Sequence, residues 1–221
     1  EIDGYVDYTG TLYVNILKNP ASSDVEQVYT DSVKGMKEQY GLDVLNSLNV
    51  NNTYTLSTTK EIAEQYGLET ISDLKKIGGP VTICSTLAFM NREDGLLGVE
   101  DRYGINFNKV GVDGSARYTA LMSGEGQVID AYSTDGLLKK FDLVILEDDQ
   151  GVFPPYYAVP VFREEIMEQY PEVADVTEAL ADVLSTDTMA ELNYLVDEEG
   201  QKAEEVAHNF LVENLPEYAR K

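Results

Sequence analysis

The chain has 221 residues, 43% of them hydrophobic, enough for one large domain or two lobes around packed apolar cores. Sixteen Lys and Arg stand against forty Asp and Glu, a formal charge of -24 that opposes binding to phosphate backbones or anionic lipid headgroups, so no nucleic-acid partner is expected. A field of that sign keeps the surface solvated and weakly favours cationic ligands.

In chain order, Tyr5 to Asn19 opens with alternating apolar residues and then takes helical spacing at Leu12, Ile16 and Leu17, which predicts a strand turning into a helix through Tyr8-Thr9-Gly10-Thr11. Ser22-Ser23-Asp24 supplies N-cap chemistry for a helix carrying Val25, Val28, Val33 and Met36 and ending before Gly41. The β-prone run Tyr54 to Thr58 predicts a strand, with a helix around Ile62 to Tyr66 and another near Ser72. Val81 to Ser85 follows as a strand whose Cys84, the sole cysteine, reads as a small buried residue. Helices are predicted over Gly95 to Tyr103 and Ala116 to Met122, and strands over Val128 to Tyr132 and Leu143 to Glu147. This alternation implies an α/β sheet with ligand groups on loops past the strand ends. Phe153 to Pro160 carries three prolines and reads as a stiff crossover rather than a central strand. After it come helices at Glu164 to Tyr170, Val173 to Leu184, Asp187 to Asp197 and Ala203 to Leu215, with no further strand.

Enzymatic constellations are hard to assemble. His208 is the single histidine and falls at the edge of a helix's apolar stripe, so Ser-His-Asp, Cys-His and zinc arrangements find little support. Glu147-Asp148-Asp149 lacks calcium-loop spacing and reads as a solvated loop. Gly124-Glu-Gly-Gln precedes a strand and lacks the third glycine of a dinucleotide loop. No apolar run approaches the roughly 20 residues that span a bilayer, and the chain opens on Glu-Ile-Asp rather than a basic and apolar leader. Tyrosine is the unusual feature, with fifteen of them and no tryptophan. Tyr40, Tyr66, Tyr103 and Tyr170 sit at predicted helix ends, where packing under the terminal turn is the default. Tyr8, Tyr54, Tyr132 and Tyr156 occupy a turn, strand ends or the connector beside small polar residues, where α/β binding sites are built, although packing is the default for each taken singly.

Four segments together resemble the substrate-binding proteins of osmoprotectant ABC importers, the glycine betaine, choline and carnitine group. They are Ile2-Asp3-Gly4-Tyr5-Val6-Asp7-Tyr8-Thr9-Gly10-Thr11, Asn51-Asn52-Thr53-Tyr54, Ala131-Tyr132-Ser133-Thr134-Asp135-Gly136, and Leu146-Glu147-Asp148-Asp149 with Phe153-Pro154-Pro155-Tyr156. The resemblance implies a two-lobed, type II periplasmic-binding-protein α/β fold that closes on its ligand around a hinge. Lobe one would comprise 1–54 and 156–221, and lobe two 55–155. Members of the family usually begin about fifty residues earlier, with a strand, a ligand-facing polar segment and a helix; a lobe one lacking these is expected either to pair with another copy through its open edge or to stand incomplete while lobe two stays intact.

By the same resemblance the ligand-binding set is Tyr8, Thr11, Asn52, Tyr54, Arg92, Tyr132 and Tyr156, with no metal, cofactor or catalytic residue. A quaternary ammonium has no N–H to donate, so its charge is best met by aromatic faces, here the four tyrosines. Arg92 aligns with the position that holds a carboxylate in betaine-binding relatives, and Thr11 would add a hydroxyl. An ion pair with Glu93 or Asp94 is the competing reading of Arg92. The implied partners are a small quaternary ammonium ligand and the permease subunits of an ABC importer. The implied location is extracytoplasmic, with tethering by a lipid anchor or a permease fusion. The rivals are a catalytic α/β enzyme, which would need a nucleophile, base or metal set, and a protein of the same fold binding another solute such as ergothioneine, choline or an amino acid, the last of which would call for an acidic residue to hold a primary ammonium.

Overall fold

The computed structural model describes residues 2–20 and 22–219. Along the chain run β1 (Gly4–Tyr8), a π-helical segment (Thr11–Ile16), α1 (Val25–Tyr40), β2 (Leu42–Val44), β3 (Tyr54–Thr58), α2 (Lys60–Tyr66), a 3-10 segment (Ile71–Ile77), β4 (Val81–Ser85), α3 (Leu87–Met90), α4 (Leu96–Tyr103), β5 (Phe107–Gly111), α5 (Ala116–Met122), β6 (Val128–Tyr132), α6 (Gly136–Lys140), β7 (Val144–Leu146), β8 (Ala158–Arg163), α7 (Glu164–Gln169), α8 (Glu172–Val183), α9 (Thr186–Asp197) and α10 (Ala203–Asn214). The chain divides into two compact units, Glu1–Thr53 with Pro154–Lys221, and Tyr54–Phe153.

The first unit is built on a three-stranded antiparallel sheet in the order β1-β8-β2. Successive side chains of a strand point to opposite faces, and β8 uses both. Val159 and Val161 pack with Leu12, Met36 and Val44 beneath the π-helical segment and α1, whereas Ala158 packs with Leu48, Val50, Ala181 and Leu184. Asp24 starts α1 by accepting the Gln27 amide at 3.0 Å. Gly41 ends it at φ +66°, a left-handed conformation that lets the chain turn at once into β2.

Here the structure corrects the expectation that Phe153 to Pro160 is a connector followed only by helices. Ala158–Arg163 is the central strand of the sheet, with Pro160 inside it. The N–H and C=O of one strand residue point to the same side. The Pro160 carbonyl accepts from Leu45 N at 2.9 Å, so the missing N–H also faces the end of β2 and the ladder to β1 is unaffected. The Leu45 carbonyl, which the proline cannot serve, accepts from the Tyr29 hydroxyl at 3.3 Å.

The second unit has a mixed five-stranded sheet in the order β5-β4-β6-β3-β7, with β4 parallel to β5 and β6, and β3 antiparallel to β6 and β7. Alternate residues again serve two cores. Leu56, Val81, Ile83 and Val128 pack with Leu68, Leu74, Leu96 and Val99, while Cys84, Ile129 and Ala131 pack with Tyr118, Leu121 and Leu138. Helices on both faces make this an α/β layer structure. Edge strand β5 was absent from the sequence reading because Asn108 and Lys109 interrupt its apolar pattern and only Phe107 in it is buried.

Two further expectations change. Of the four tyrosines placed under helix ends, Tyr103 is buried and Tyr66 packs against the same core, but Tyr40 and Tyr170 are exposed. Asp148 is not a solvated loop residue: its carboxylate accepts the Tyr103 hydroxyl at 2.5 Å and the Phe153 amide at 2.7 Å, tying the loop to the unit's core. His208 is exposed on α10, and among the described residues no cluster of His, Cys, Asp and Glu could hold a metal ion.

Candidate functional site

Tyr8, Thr11, Asn52 and Tyr156 belong to the first unit, and Tyr54, Arg92 and Tyr132 to the second.

In the first unit Tyr8 ends β1 opposite Ala158, and Tyr156 lies two residues before β8 begins. The segment Asn51-Asn52 runs alongside. Asn52 N donates to the Tyr156 carbonyl at 2.9 Å, its side-chain amide donates to the Tyr8 hydroxyl at 3.3 Å, and Tyr156 N donates to the Asn51 side chain at 2.9 Å. Thr9, buried, fixes the same crossing: its hydroxyl donates to the Pro155 carbonyl and accepts from Tyr157 N, each at 3.1 Å. Gly10 is required for space rather than conformation. A Cβ there would come within 2.8 Å of both the Pro155 carbonyl oxygen and the Tyr156 ring. Tyr8, Asn52 and Tyr156 are thus brought together. Thr11, half-buried at the start of the π-helical segment, is adjacent in sequence but has no described bond to them.

In the second unit the sheet register pairs Tyr54 of β3 directly with Tyr132 of β6 at the end of the ladder. Directly opposed residues project from the same face a few ångströms apart. The rings accordingly stack with centroids 4.9 Å apart and an interplanar angle of 28°, and Tyr132 donates its hydroxyl proton to Tyr54 Oη across 3.2 Å. Tyr54 is 8% exposed and Tyr132 37%, so Tyr54 backs the pair and Tyr132 presents it. Phe89 and Phe153 close around Tyr54 with centroids at 5.0 and 6.4 Å.

Burial raises the Tyr54 phenol well above its ordinary value, the bond with Tyr132 adds to this, and the Arg92 charge opposes it. The ring is therefore a neutral π surface at physiological pH. Arg92 lies with Cζ 5.6 Å from the Tyr54 centroid and forks onto Asp94 through Nε and Nη2 at 2.7 and 2.5 Å. The Asp94 ion pair is thus formed in this structure, and a guanidinium already lies over a Tyr54 face, the geometry of a cation–π contact.

The sequence reading missed Phe89 and Phe153. Phe153 was visible as the aromatic head of the Pro-Pro-Tyr run, but Phe89 sits on the four-residue helix α3, too short to show any periodicity.

Comparison with known proteins bears on this arrangement. Residues 1–213 match the OpuAC family, described as the substrate-binding domain of ABC-type glycine betaine transport systems. The chain is 35% identical over 212 residues to the ergothioneine transport permease/ergothioneine-binding protein EgtU of Helicobacter pylori, covering 96% of this chain but only 38% of that protein's length. It is 33% identical over 209 residues to the carnitine transport binding protein OpuCC of Listeria monocytogenes, covering 94% of this chain and 68% of that one. Among solved structures, that of a glycine betaine/carnitine/choline ABC transporter superposes with a TM-score of 0.89 at 33% identity, covering 96% of this chain and 78% of the other. The α/β fold is that of type II periplasmic binding proteins. The chain belongs to the OpuAC family of substrate-binding domains of ABC-type glycine betaine transport systems.

Proposed function

We propose that the chain binds a zwitterion with a trimethylammonium group at one end and a carboxylate at the other, and that the aromatic set of the second unit receives its cationic end. The observation that carries this is the stacked Tyr54–Tyr132 pair with a cation over Tyr54: a neutral aromatic surface that already accepts positive charge. Glycine betaine, carnitine and ergothioneine, the compounds named for the family and its relatives, share a trimethylammonium group and a carboxylate. Each tyrosine face contributes about 0.5 to 2 kcal/mol to a desolvated cation. Arg92 takes the ligand carboxylate, whose planar pair of oxygens suits the same fork that now holds Asp94. Ligand capture favours the ligand-competent state of the protein, which delivers the ligand to an ABC permease outside the cytoplasm. The chain acts as a binding protein and not as an enzyme.

Calorimetric titration of the chain with glycine betaine, carnitine, ergothioneine, choline and proline tests this reading. Tight binding of the trimethylammonium carboxylates with weaker binding of choline is expected. Binding of proline alone would replace the reading with that of an amino-acid receptor.

A further inference from the structure

Behind Tyr132 lies a partly buried ionic network that the ligand-facing set does not use. Asp135 follows β6, and its Oδ2 receives three donors: Tyr132 N at 3.0 Å, Arg117 Nη2 at 2.8 Å and the Tyr118 hydroxyl at 2.7 Å. Asp135 N donates in return to the Tyr132 carbonyl at 2.9 Å, so the Tyr132 peptide is held at both its N–H and its C=O. Both α5 donors are buried. Arg117 is 6% exposed, with Cζ 5.1 Å from the Tyr118 centroid, and Tyr118 stacks on Phe141 at 6.2 Å.

The same guanidinium reaches a second carboxylate. Arg117 Nε, without a hydrogen-bond partner among the described residues, lies 4.0 Å from Oδ2 of Asp130, a residue 1% exposed. Asp130 accepts Thr86 N at 2.9 Å and the Thr86 hydroxyl at 3.1 Å, and Thr86 in turn caps α3 by accepting Phe89 N at 3.3 Å. Phe89 is the ring against Tyr54. One buried arginine therefore lies between two carboxylates, each tied to a different ring of the aromatic set.

A buried ion pair is weak evidence for stability, because desolvation offsets its attraction, and a gain in structural specificity is the alternative worth testing. We infer that Arg117 and Tyr118 are positioning residues for the aromatic site: acting through the carboxylate of Asp135 they fix the orientation of the Tyr132 ring against Tyr54, and thereby set the affinity for the ligand without touching it. The affinity arm of the test rests on the proposed function; the ring geometry does not.

Replacing Arg117 would strand the buried carboxylate of Asp130 and the partly exposed one of Asp135 and risk unfolding, so Tyr118→Phe and Asp135→Asn are the informative variants. Two readouts separate the possibilities. In NMR spectra of the unliganded chain, Tyr54 ring protons feel the ring current of Tyr132. Both variants are expected to shift them towards their positions in Tyr132→Ala; unchanged Tyr54 resonances would overturn the inference whether or not any ligand binds. In titrations with glycine betaine, Tyr118→Phe is expected to weaken binding about tenfold, the size of one charge-assisted hydrogen bond. The loss should vanish in a Tyr132→Ala background, since the residue acts only through that ring. An equal loss in both backgrounds would mark a general structural role and overturn the inference. If the unmodified chain fails to bind glycine betaine, that result counts against the proposed function, and the ring shifts alone decide the positioning role.

Discussion

Tyr54 and Tyr132 meet because β3 and β6 pair in a register that opposes them, and a one-residue slip would send the rings to opposite faces. That contact could not be read from the sequence, where the residues are 78 positions apart and each tyrosine alone suits packing as well as binding. The chain segments that carry them were readable, because Asn51-Asn52-Thr53-Tyr54 and Ala131-Tyr132-Ser133-Thr134 recur in a known family; Phe153 was readable in its Pro-Pro-Tyr run but not its contact with Tyr54, and Phe89, on the four-residue helix α3, gave no periodic signal. Arg92 is where two readings of one residue diverge in measurement. Its fork is on Asp94 in this structure, and the carboxylate role requires the ligand to compete for it. Arg92→Ala is expected to weaken glycine betaine about tenfold to a hundredfold, corresponding to about 1.5 to 3 kcal/mol for a charged hydrogen bond, and to leave choline nearly unchanged. Equal losses for both ligands in calorimetry would remove the carboxylate role from Arg92.

At the scale of elements, helices were easier to read than strands. The helices α1, α4, α5, α8, α9 and α10 begin and end within a few residues of their expected limits, because caps and apolar stripes are local signals. Strands β2, β5 and β8 escaped for three reasons: β2 has only three residues, β5 is a polar edge, and β8 contains a proline that local rules forbid in a central strand. The tolerance of Pro160 is a tertiary fact, resting on Tyr29 in α1 serving the Leu45 carbonyl. Tyr29→Phe is therefore expected to destabilise the chain by about 1 kcal/mol in denaturant unfolding, the usual net worth of such a bond. With Pro160→Ala, which restores an N–H facing Leu45, the same replacement should cost less. Equal costs in the two backgrounds would show that the hydroxyl does not substitute for the missing amide.

For the molecule as a whole, the charge of -24 excluded partners without naming one, and the ligand class came from family resemblance joined to the aromatic geometry. The second unit also holds buried tyrosines that matter to stability at alkaline pH. Burial raises the phenols of Tyr54, Tyr103 and Tyr118 above the ordinary value of 10.0, with the Asp148 bond adding to the effect at Tyr103 and the Asp135 charge at Tyr118. A raised folded value means that the neutral form is favoured by folding. The stabilisation is complete below the unfolded value of about 10 and is lost as pH rises from there through the folded values. Scanning calorimetry should therefore find Tm falling as the buffer is taken above pH 10, and a Tm independent of pH in that range would contradict the burial of these hydroxyls. The most direct test of the central claim is a crystal structure of this chain grown with glycine betaine. The trimethylammonium group is expected within about 6 Å of the ring centroids of Tyr54 and Tyr132, with the carboxylate on Arg92. A ligand held away from these residues would contradict the claim.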